Sequence, residues 1–370
     1  MILARVGITP TIASNVRELP SAGNAKREAV ALLKRRFHRQ NVYMVVALLV
    51  LLLLLPYAPG AQSWMAAQAA LVIIYVIAAQ GVALLVGYTG LVTVGHGGFL
   101  AIGAYTAALL TKYFGVDLLV AIVGGGAMAA FIGTLLGLVF LRLAGPFMAI
   151  GTLGFAFFVG TVVTNVPLFE GRDGISLPPT NNLLGIKIGD TGFYYVAVVT
   201  LALVTLFLYS LLRSGVGRAL RALRDSEKAA ESSGVNRLFY RTLAFSVSAG
   251  ITGVAGALNG LLIHFVSAEV YSDIWYSVDI LVAVVVGGAS MMMGPFVGGF
   301  FVVMLPFFLD QLADFASILK GVVLIAVLLF APAGVCAVLS RPLRAWRRRK
   351  LDEVGQATAP IASTVITASR

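Results

Sequence analysis

Long apolar runs dominate the hydrophobic pattern of this chain. No Asp, Glu, Lys or Arg occurs between Gln40 and Thr111. A membrane-spanning helix needs roughly 20 mainly apolar residues, so this run is long enough for three spans. Further charge-free runs are Leu118–Leu141, Leu143–Phe169, Thr191–Leu212, Thr242–Ala268, Ile280–Leu309 and Gly321–Ser340. The pattern predicts an all-α, polytopic membrane helical bundle and argues against a β-barrel, whose strands would be shorter and alternating.

The amino-acid composition also indicates a membrane-embedded chain. Hydrophobic residues make up 59% of the 370 residues and charged residues 12%, whereas a soluble domain is about 25% charged. The single cysteine, Cys336, lies inside an apolar run, which argues against disulfides and thiol metal sites. The three histidines lack ligand spacing. We therefore expect neither a metal nor another cofactor.

The net charge of +11 is concentrated in three places. They are the N-terminal segment, the loop from Arg213 to Arg241, and the tail Arg341–Lys350. Cytoplasmic segments of membrane proteins carry such an excess of Lys and Arg, so the distribution indicates membrane topology rather than nucleic-acid binding. It predicts a basic cytoplasmic segment (1–41), a transmembrane domain (42–340) and a basic cytoplasmic tail (341–370).

Charge and turn signals divide the apolar runs into spans. We place them at about Val42–Tyr57, Trp64–Leu85, Leu118–Leu141, Phe147–Phe169, Gly192–Leu212 and Leu243–Phe265, with a helical run that ends at Lys112 after the second of them. Gly321–Leu339 supplies the last crossing. For both termini to be cytoplasmic, Ile280–Leu309 must form two short crossings or a re-entrant hairpin. The total is about 8–10 membrane segments.

Two glycine-rich stretches, Gly87–Gly103 and Gly287–Gly299, interrupt the apolar runs in opposite halves of the chain. Irregular backbone at membrane depth is tolerated only where protein or a water-filled cavity surrounds it, and broken helices build the sites of many transporters. The alternative is that the glycines simply allow close helix packing. On the first interpretation, the translocation pathway would include Tyr88, Thr93, His96, Gly97, Gly288 and Gly294.

His96 stands out because an ionisable residue within a membrane span is a functional-site hypothesis by default. It lies between glycines in the stretch TVGHGG, Thr93–Gly98. Its imidazole could contact the pathway, or it could cap backbone groups of a broken helix.

The loop Arg213–Arg241 contains signals for a short helix. Asp225 and Ser226 are good N-cap residues, and Gly234 is a natural residue just beyond a helix C-terminus. The segment between them predicts about two helical turns. Isolated helices of that length are marginal in water, so this helix should pack against something.

No energy source is evident in the chain itself. The sequence has no GxxxxGK[ST] phosphate loop, and its charge-free runs hold no chain of acids of the kind that proton-coupled carriers use. An enzyme would need convergent acids, bases or metal ligands, which these runs lack.

Three segments resemble the branched-chain amino acid permease family of ATP-binding-cassette importers. They are GYTGLVTVGHGGFLAIGAYTAALL (87–110), GRALRALRDSEKAAESSGVN (217–236) and VVVGGASMMMGPFVGGFFVVMLP (284–306). The resemblance extends over roughly Val82 to Ala333. It implies a multi-pass protein of the bacterial inner membrane. The implied partners are a homologous second permease chain, two cytoplasmic ATPase subunits, an extracytoplasmic solute-binding protein and membrane lipid.

The resemblance also implies a coupling helix that docks on the ATPase. Its residues would be Glu227, Ala229, Ala230, Glu231 and Gly234. The general importer pattern is EAA-x3-G, whereas Lys228 here directly precedes the two alanines and Glu227 comes one position earlier. That shifted form resembles the branched-chain subfamily and puts in doubt any role of Glu227 taken from other importers.

Substrate and energy source leave alternatives open. Urea and amide importers resemble this pattern too, and a self-sufficient secondary carrier or channel would need no ATPase. A low density of charge suits neutral or zwitterionic solutes such as branched-chain amino acids.

Overall fold

The structure is a computed structural model, and it describes only part of the chain. The described residues are 63–140, 146–171, 173–178, 181–183, 185–271, 274–309, 321, 325, 329 and 334–336. They belong to one compact unit, Leu51–Val338. The predicted segments 1–41 and 341–370, the span Val42–Tyr57 and most of Gly321–Leu339 lie outside the described residues.

Helices make up most of the described chain, as the all-α prediction requires. They are α1 (Ser63–Ala83) with a π-helical continuation (Leu84–Thr89), α2 (His96–Phe114), α3 (Leu118–Phe140), α4 (Pro146–Asn165), a 3₁₀ turn (Pro167–Phe169), α5 (Asp190–Arg213), α6 (Gly215–Asp225), α7 (Glu227–Ser232), α8 (Arg237–Ile263), α9 (Ala268–Tyr271), α10 (Ile274–Gly287) and α11 (Gly294–Leu309). The strands are β1 (Ile175–Ser176), β2 (Asn181–Leu183), β3 (Ile186–Ile188) and β4 (Phe265–Val266). All-α architecture is confirmed.

Five of the described helices are long and apolar enough to cross a membrane. They are Met65–Thr89, Leu118–Phe140, Phe147–Asn165, Asp190–Arg213 and Arg237–Ile263. Four correspond closely to predicted spans. The fifth, α8, begins at Arg237 rather than at the predicted Leu243, because Arg237 and Arg241 are helical although they are charged. The total of 8–10 segments stays a prediction.

Helix α8 lies at the centre of the bundle and packs along α1, α2 and α3. Its crossing with α2 is very close. A Cβ added at Gly256 would lie 1.9 Å from the carbonyl oxygen of Leu100, and one at Gly103 would lie 2.0 Å from that of Gly253. Small residues let helix backbones approach closely within lipid, so glycine is the residue that this crossing requires.

Helices α10 and α11 form the feature predicted at Ile280–Leu309. They pair antiparallel, since Gly298 lies against Ala283 and Gly294 against Gly287. At 1.5 Å per residue, 14 and 16 residues extend about 21 and 24 Å, less than the hydrocarbon core of about 30 Å. Their connection, Gly288–Met293, is called the hairpin tip below. Both alternatives, short crossings and a re-entrant hairpin, remain compatible with these lengths.

The polar stretch between α4 and α5 forms two short antiparallel ribbons. β1 pairs with β4, joining Ile175 to Val266 just beyond the end of α8. β2 pairs with β3 through Asn181 and Ile188. These ribbons lie at the end of the bundle opposite to α6 and α7, because α5 and α8 each connect one end to the other.

Candidate functional site

Helices α6, α7 and α8 each begin at a polar side chain that caps the first turn. Ser214 Oγ accepts from the Val216 amide at 3.2 Å, Ser226 Oγ from Ala229 at 3.4 Å, and Asn236 Oδ1 from Phe239 at 3.0 Å. Such caps satisfy amides that have no partner within the helix. Of the two predicted caps for α7, Ser226 fills the role, whereas Asp225 ends α6.

Gly234 lies just beyond the C-terminus of α7, as the sequence predicts, and terminates the helix. Its φ is 84°, its amide donates to Glu231 O at 3.0 Å, and the Val235 amide donates to Ala230 O at 3.1 Å. This pair of bonds is a Schellman motif, in which glycine takes the left-handed conformation at low cost. Helix α7 is therefore held at both ends.

Replacing Gly234 by alanine tests this geometry. A Cβ there would meet nothing within 4 Å, so only the left-handed backbone conformation is penalised. We expect Gly234→Ala to lower the free energy of unfolding by about 1 kcal/mol, measured by reversible denaturation in detergent. Gly154→Ala, in α4, is the control, because it also has free space around its Cβ but no positive φ. Equal effects of the two substitutions would contradict the assignment.

Glu227 attaches α7 to α8. Its Oε2 lies 3.1 Å from Arg237 Nη1, and its Oε1 accepts a hydrogen bond from Arg241 Nη2. The side chain of Arg241 is only 7% exposed, so Glu227 offsets a charge that is otherwise costly to bury. In this chain Glu227 has a partner of its own on α8.

The remaining predicted coupling residues differ in accessibility. Ala230 is 5% exposed and packs against the chain itself, whereas Ala229, Glu231 and Gly234 are exposed. A partner that approached α7 would therefore meet Ala229 and Glu231 rather than Ala230.

His96 lies at the start of α2, where three helices meet. Thr93 Oγ1 is 3.1 Å from His96 Nδ1, and His96 Nε2 is 2.8 Å from Ser248 Oγ. Ser248 donates its only hydroxyl proton to Gly81 O at 2.6 Å, so its oxygen must accept from Nε2–H and Nδ1 must accept from Thr93. A neutral imidazole thus gives each of these side chains its hydrogen-bond partners. Thr93, His96 and Ser248 are called the buried relay below, and His96 is 2% exposed.

Gly97, beside it, joins α2 to α10. Its amide donates to Ser277 Oγ at 2.9 Å, and a Cβ at this position would lie 2.4 Å from the same oxygen. Predicted residues Thr93, His96 and Gly97 therefore come together in one buried cluster with Ser248 and Ser277.

The other predicted pathway residues lie around the hairpin tip. Gly288 has a φ of 102°, and a Cβ at Gly294 would lie 2.1 Å from Gly288 O. Tyr88 lines a small cavity with Met291 and Met292 of the tip. Along α10, Ser277 and Gly288 are about 16 Å apart at 1.5 Å per residue, so the structure separates the predicted residues into two groups at different levels.

Several polar residues inside the bundle were not singled out by the sequence. Gln80 Nε2 donates to Thr205 Oγ1 at 2.8 Å between α1 and α5, and both side chains are buried. Asp279, which borders a charge-free run in the sequence, lies well inside α10. The stretch Ile274–Val278, just before Asp279, is mostly apolar and extends the helix on the N-terminal side of the carboxylate. It is the sequence signal that could have shown Asp279 to be inside a helix. Within the described residues, no three His, Cys, Asp or Glu side chains are grouped to hold a metal ion.

The chain matches the family model described as "Branched-chain amino acid transport system / permease component" over residues 65–332. LivM, a high-affinity branched-chain amino acid transport system permease protein of Escherichia coli (strain K12), is 31% identical over 82% of this chain and 76% of its own length. A probable LivM of Methanocaldococcus jannaschii is 23% identical over 67% of the chain and 86% of its length.

Relatives named LivH, also branched-chain amino acid transport system permease proteins, are similar as well. LivH of Salmonella typhimurium is 24% identical over 72% of this chain and 92% of its own length. No solved structure matches the chain. The family and the apolar helices together make this a multi-pass membrane protein. The chain belongs to the family of branched-chain amino acid transport system permease components.

Proposed function

We propose that the chain is the permease subunit of an ATP-driven importer that carries branched-chain or similar neutral amino acids across the bacterial inner membrane. The observation that carries this proposal is α7: a two-turn helix, held at both ends, with Ala229 and Glu231 exposed at one end of a membrane bundle. The relatives' names supply the substrate class, since those proteins are called branched-chain amino acid permeases. Urea and amides are the alternative solutes.

Energy would come from partner subunits. The sequence lacks the phosphate loop that binds ATP, so two cytoplasmic ATPase subunits would supply hydrolysis, and one would receive α7. A helix laid into a groove is a common mode of recognition. With α6 and α7 cytoplasmic, the ribbons β1–β4 and β2–β3 would face an extracytoplasmic solute-binding protein, and both chain termini would be cytoplasmic.

A second, homologous permease chain would complete the pathway. Relatives of both the LivM and the LivH type match this sequence, so the two types share a common fold with it. On this proposal the exposed apolar side chains of α3, α4 and α5 are divided between membrane lipid and the second permease. Examples are Phe131, Phe158 and Leu206, at 62%, 64% and 64% exposure.

The energy source provides the test. Cells that lack this chain should lose uptake of radiolabelled leucine and regain it with the wild-type chain. Depletion of ATP should stop that uptake, whereas a protonophore used with ATP maintained should leave it. Leucine accumulation by the purified chain alone in vesicles, driven by a proton or sodium gradient, would support the secondary carrier instead. Restored uptake of urea or acetamide without leucine would favour the amide alternative.

If α7 docks on an ATPase subunit through its exposed face, the side chain at position 229 must be small. We expect Ala229→Arg to reduce ATP-driven uptake about tenfold or more, since a loss of 1.4 kcal/mol in binding is tenfold, whereas Ala229→Ser should keep it. Ala229 is exposed, so neither variant should change the thermal unfolding temperature of the purified chain. Normal uptake by Ala229→Arg would show that α7 does not dock through this face.

A further inference from the structure

Arg224, near the end of α6, contacts both glycine-rich stretches, Gly87–Gly103 and Gly287–Gly299. They are called the glycine-broken segments below. Its Nη1 donates a hydrogen bond to the carbonyl oxygen of Gly87, in the π-helical continuation of α1, and lies 3.2 Å from Ser290 Oγ in the hairpin tip. Its acceptors come from segments 137 and 66 residues away in the sequence. One guanidinium therefore joins α6 to two distant parts of the bundle.

The two broken segments are also in direct contact with each other. A Cβ at Gly87 would lie 2.0 Å from the carbonyl oxygen of Ala289, so the π-helical continuation and the hairpin tip pack backbone against backbone. Close packing of this kind is not continuously deformable. A force applied to one segment would move the other.

Electrostatics favour a cation at this position. The π-helical continuation ends at Thr89 and α10 ends at Gly287, so two helix C-termini converge near Arg224. The C-terminal end of a helix carries partial negative charge and free carbonyls. A planar guanidinium can donate to two acceptors in fixed directions, which a lysine ammonium on its flexible stem does less well.

Arg224 is also directly linked to α7. Only Asp225 and the cap Ser226 separate it from Glu227, which holds α7 to α8 through Arg237 and Arg241. A movement of α7 would therefore reach the bundle by two routes. Glu227 would pass it to α8, and Arg224 would pass it to the two glycine-broken segments. Arg218, earlier in the same helix, donates a hydrogen bond to Arg213 O at 3.5 Å, and none of its described contacts reaches either segment.

We propose that Arg224 is the positioning residue that transmits movement of α7 to the two glycine-broken segments, so that ATP hydrolysis opens and closes the pathway. This inference rests on the proposed function, because it presupposes an ATPase that moves α7. Arg224 does not have to contact the solute or the ATPase. Its loss should uncouple hydrolysis from transport while docking is kept.

The test measures solute moved per ATP hydrolysed, in vesicles that contain the complete importer purified with its own ATPase subunits and supplied with its binding protein. Arg224→Ala should lower that ratio about tenfold, within the usual range of coupling between sites. Arg224→Lys should restore it in part. Arg218→Ala is the matched control, since it removes the same charge from the same helix, and its ratio should stay within about twofold of wild type.

A purely structural role would give a different result. It would lower the amount of folded complex, and uptake and hydrolysis would fall together with an unchanged ratio. Such a result, or an Arg218→Ala ratio that falls as far as that of Arg224→Ala, would overturn the inference. If Arg224→Ala does not assemble, Ser290→Ala removes one of its two acceptors and should still lower the ratio; an unchanged ratio there would equally overturn it. Absence of ATP-driven uptake with the wild-type chain would instead refute the proposed function.

Discussion

Gly256→Ala is expected to leave little or no folded protein. The added Cβ would lie 1.9 Å from Leu100 O and 2.7 Å from the carbonyl carbon of the same residue. These are backbone atoms, so no side chain can turn away to make room, and α2 and α8 would have to separate. The penalty should reach about 4 kcal/mol or more, since overpacking against rigid neighbours gives the largest effects of single substitutions.

The control for this substitution lies on another membrane helix. A Cβ at Gly154, in α4, would meet nothing within 4 Å, so Gly154→Ala should be neutral or stabilise by up to about 1 kcal/mol through helix propensity. Yield of monodisperse protein in detergent and the free energy of unfolding measure both variants. If Gly256→Ala were as stable as Gly154→Ala, the close crossing of α2 and α8 would be contradicted.

His96→Leu is expected to lower the free energy of unfolding by about 2 to 4 kcal/mol, because two buried hydrogen bonds are lost and their partners stay behind. Thr93 loses the acceptor for its hydroxyl, and Ser248 Oγ loses the donor that His96 Nε2 provides. Thr106→Val, on the same helix, is the control. Its hydroxyl bonds to the carbonyl of Ile102 in its own helix, so its removal should cost less than about 1 kcal/mol.

The same pair of variants separates the two interpretations of His96. Denaturation in detergent reports stability, and leucine uptake per folded molecule reports transport. A loss of stability with normal uptake per folded molecule would agree with the buried relay. Unchanged stability together with lost uptake would show instead that His96 contacts the pathway.

Local signals allowed the sequence to predict α7 almost completely. Its cap at Ser226 and its end at Gly234 depend on residues within a few positions of each other. The apolar runs likewise predicted α3, α4 and α5, because length and hydropathy suffice to identify a helix in lipid.

Hydropathy failed where charged residues belong to a helix. Hydropathy places the start of α8 at Leu243, because the charges of Arg237 and Arg241 are typical of a loop, although Asn236 is a good N-cap. Arg241 is tolerated there through its pairing with Glu227, and Glu227 comes from a separate helix. In the same way, the charge of Asp279 ends the apolar run at Ile280, so hydropathy does not predict the first turn of α10.

Contacts between distant residues could not be predicted from one sequence. Ser248 and Ser277, which bond to His96 and Gly97, lie 152 and 180 residues away. The glycine stretches pointed to tight or broken backbone, and the structure has both at Gly97 and Gly288. Which of these residues contacts solute stays a prediction, because the pathway would form against a second chain.

Site-specific photo-crosslinking tests most directly whether α7 transmits energy from an ATPase. A photoreactive amino acid would be placed at Ala229 in the chain within living cells, and at Ile150 on the exposed face of α4 as the control. We expect Ala229 to capture a protein with a phosphate-binding loop, identified by mass spectrometry, with a yield that changes on ATP depletion, and Ile150 not to capture it. No ATPase product at Ala229, or the same products at both positions, would contradict the account.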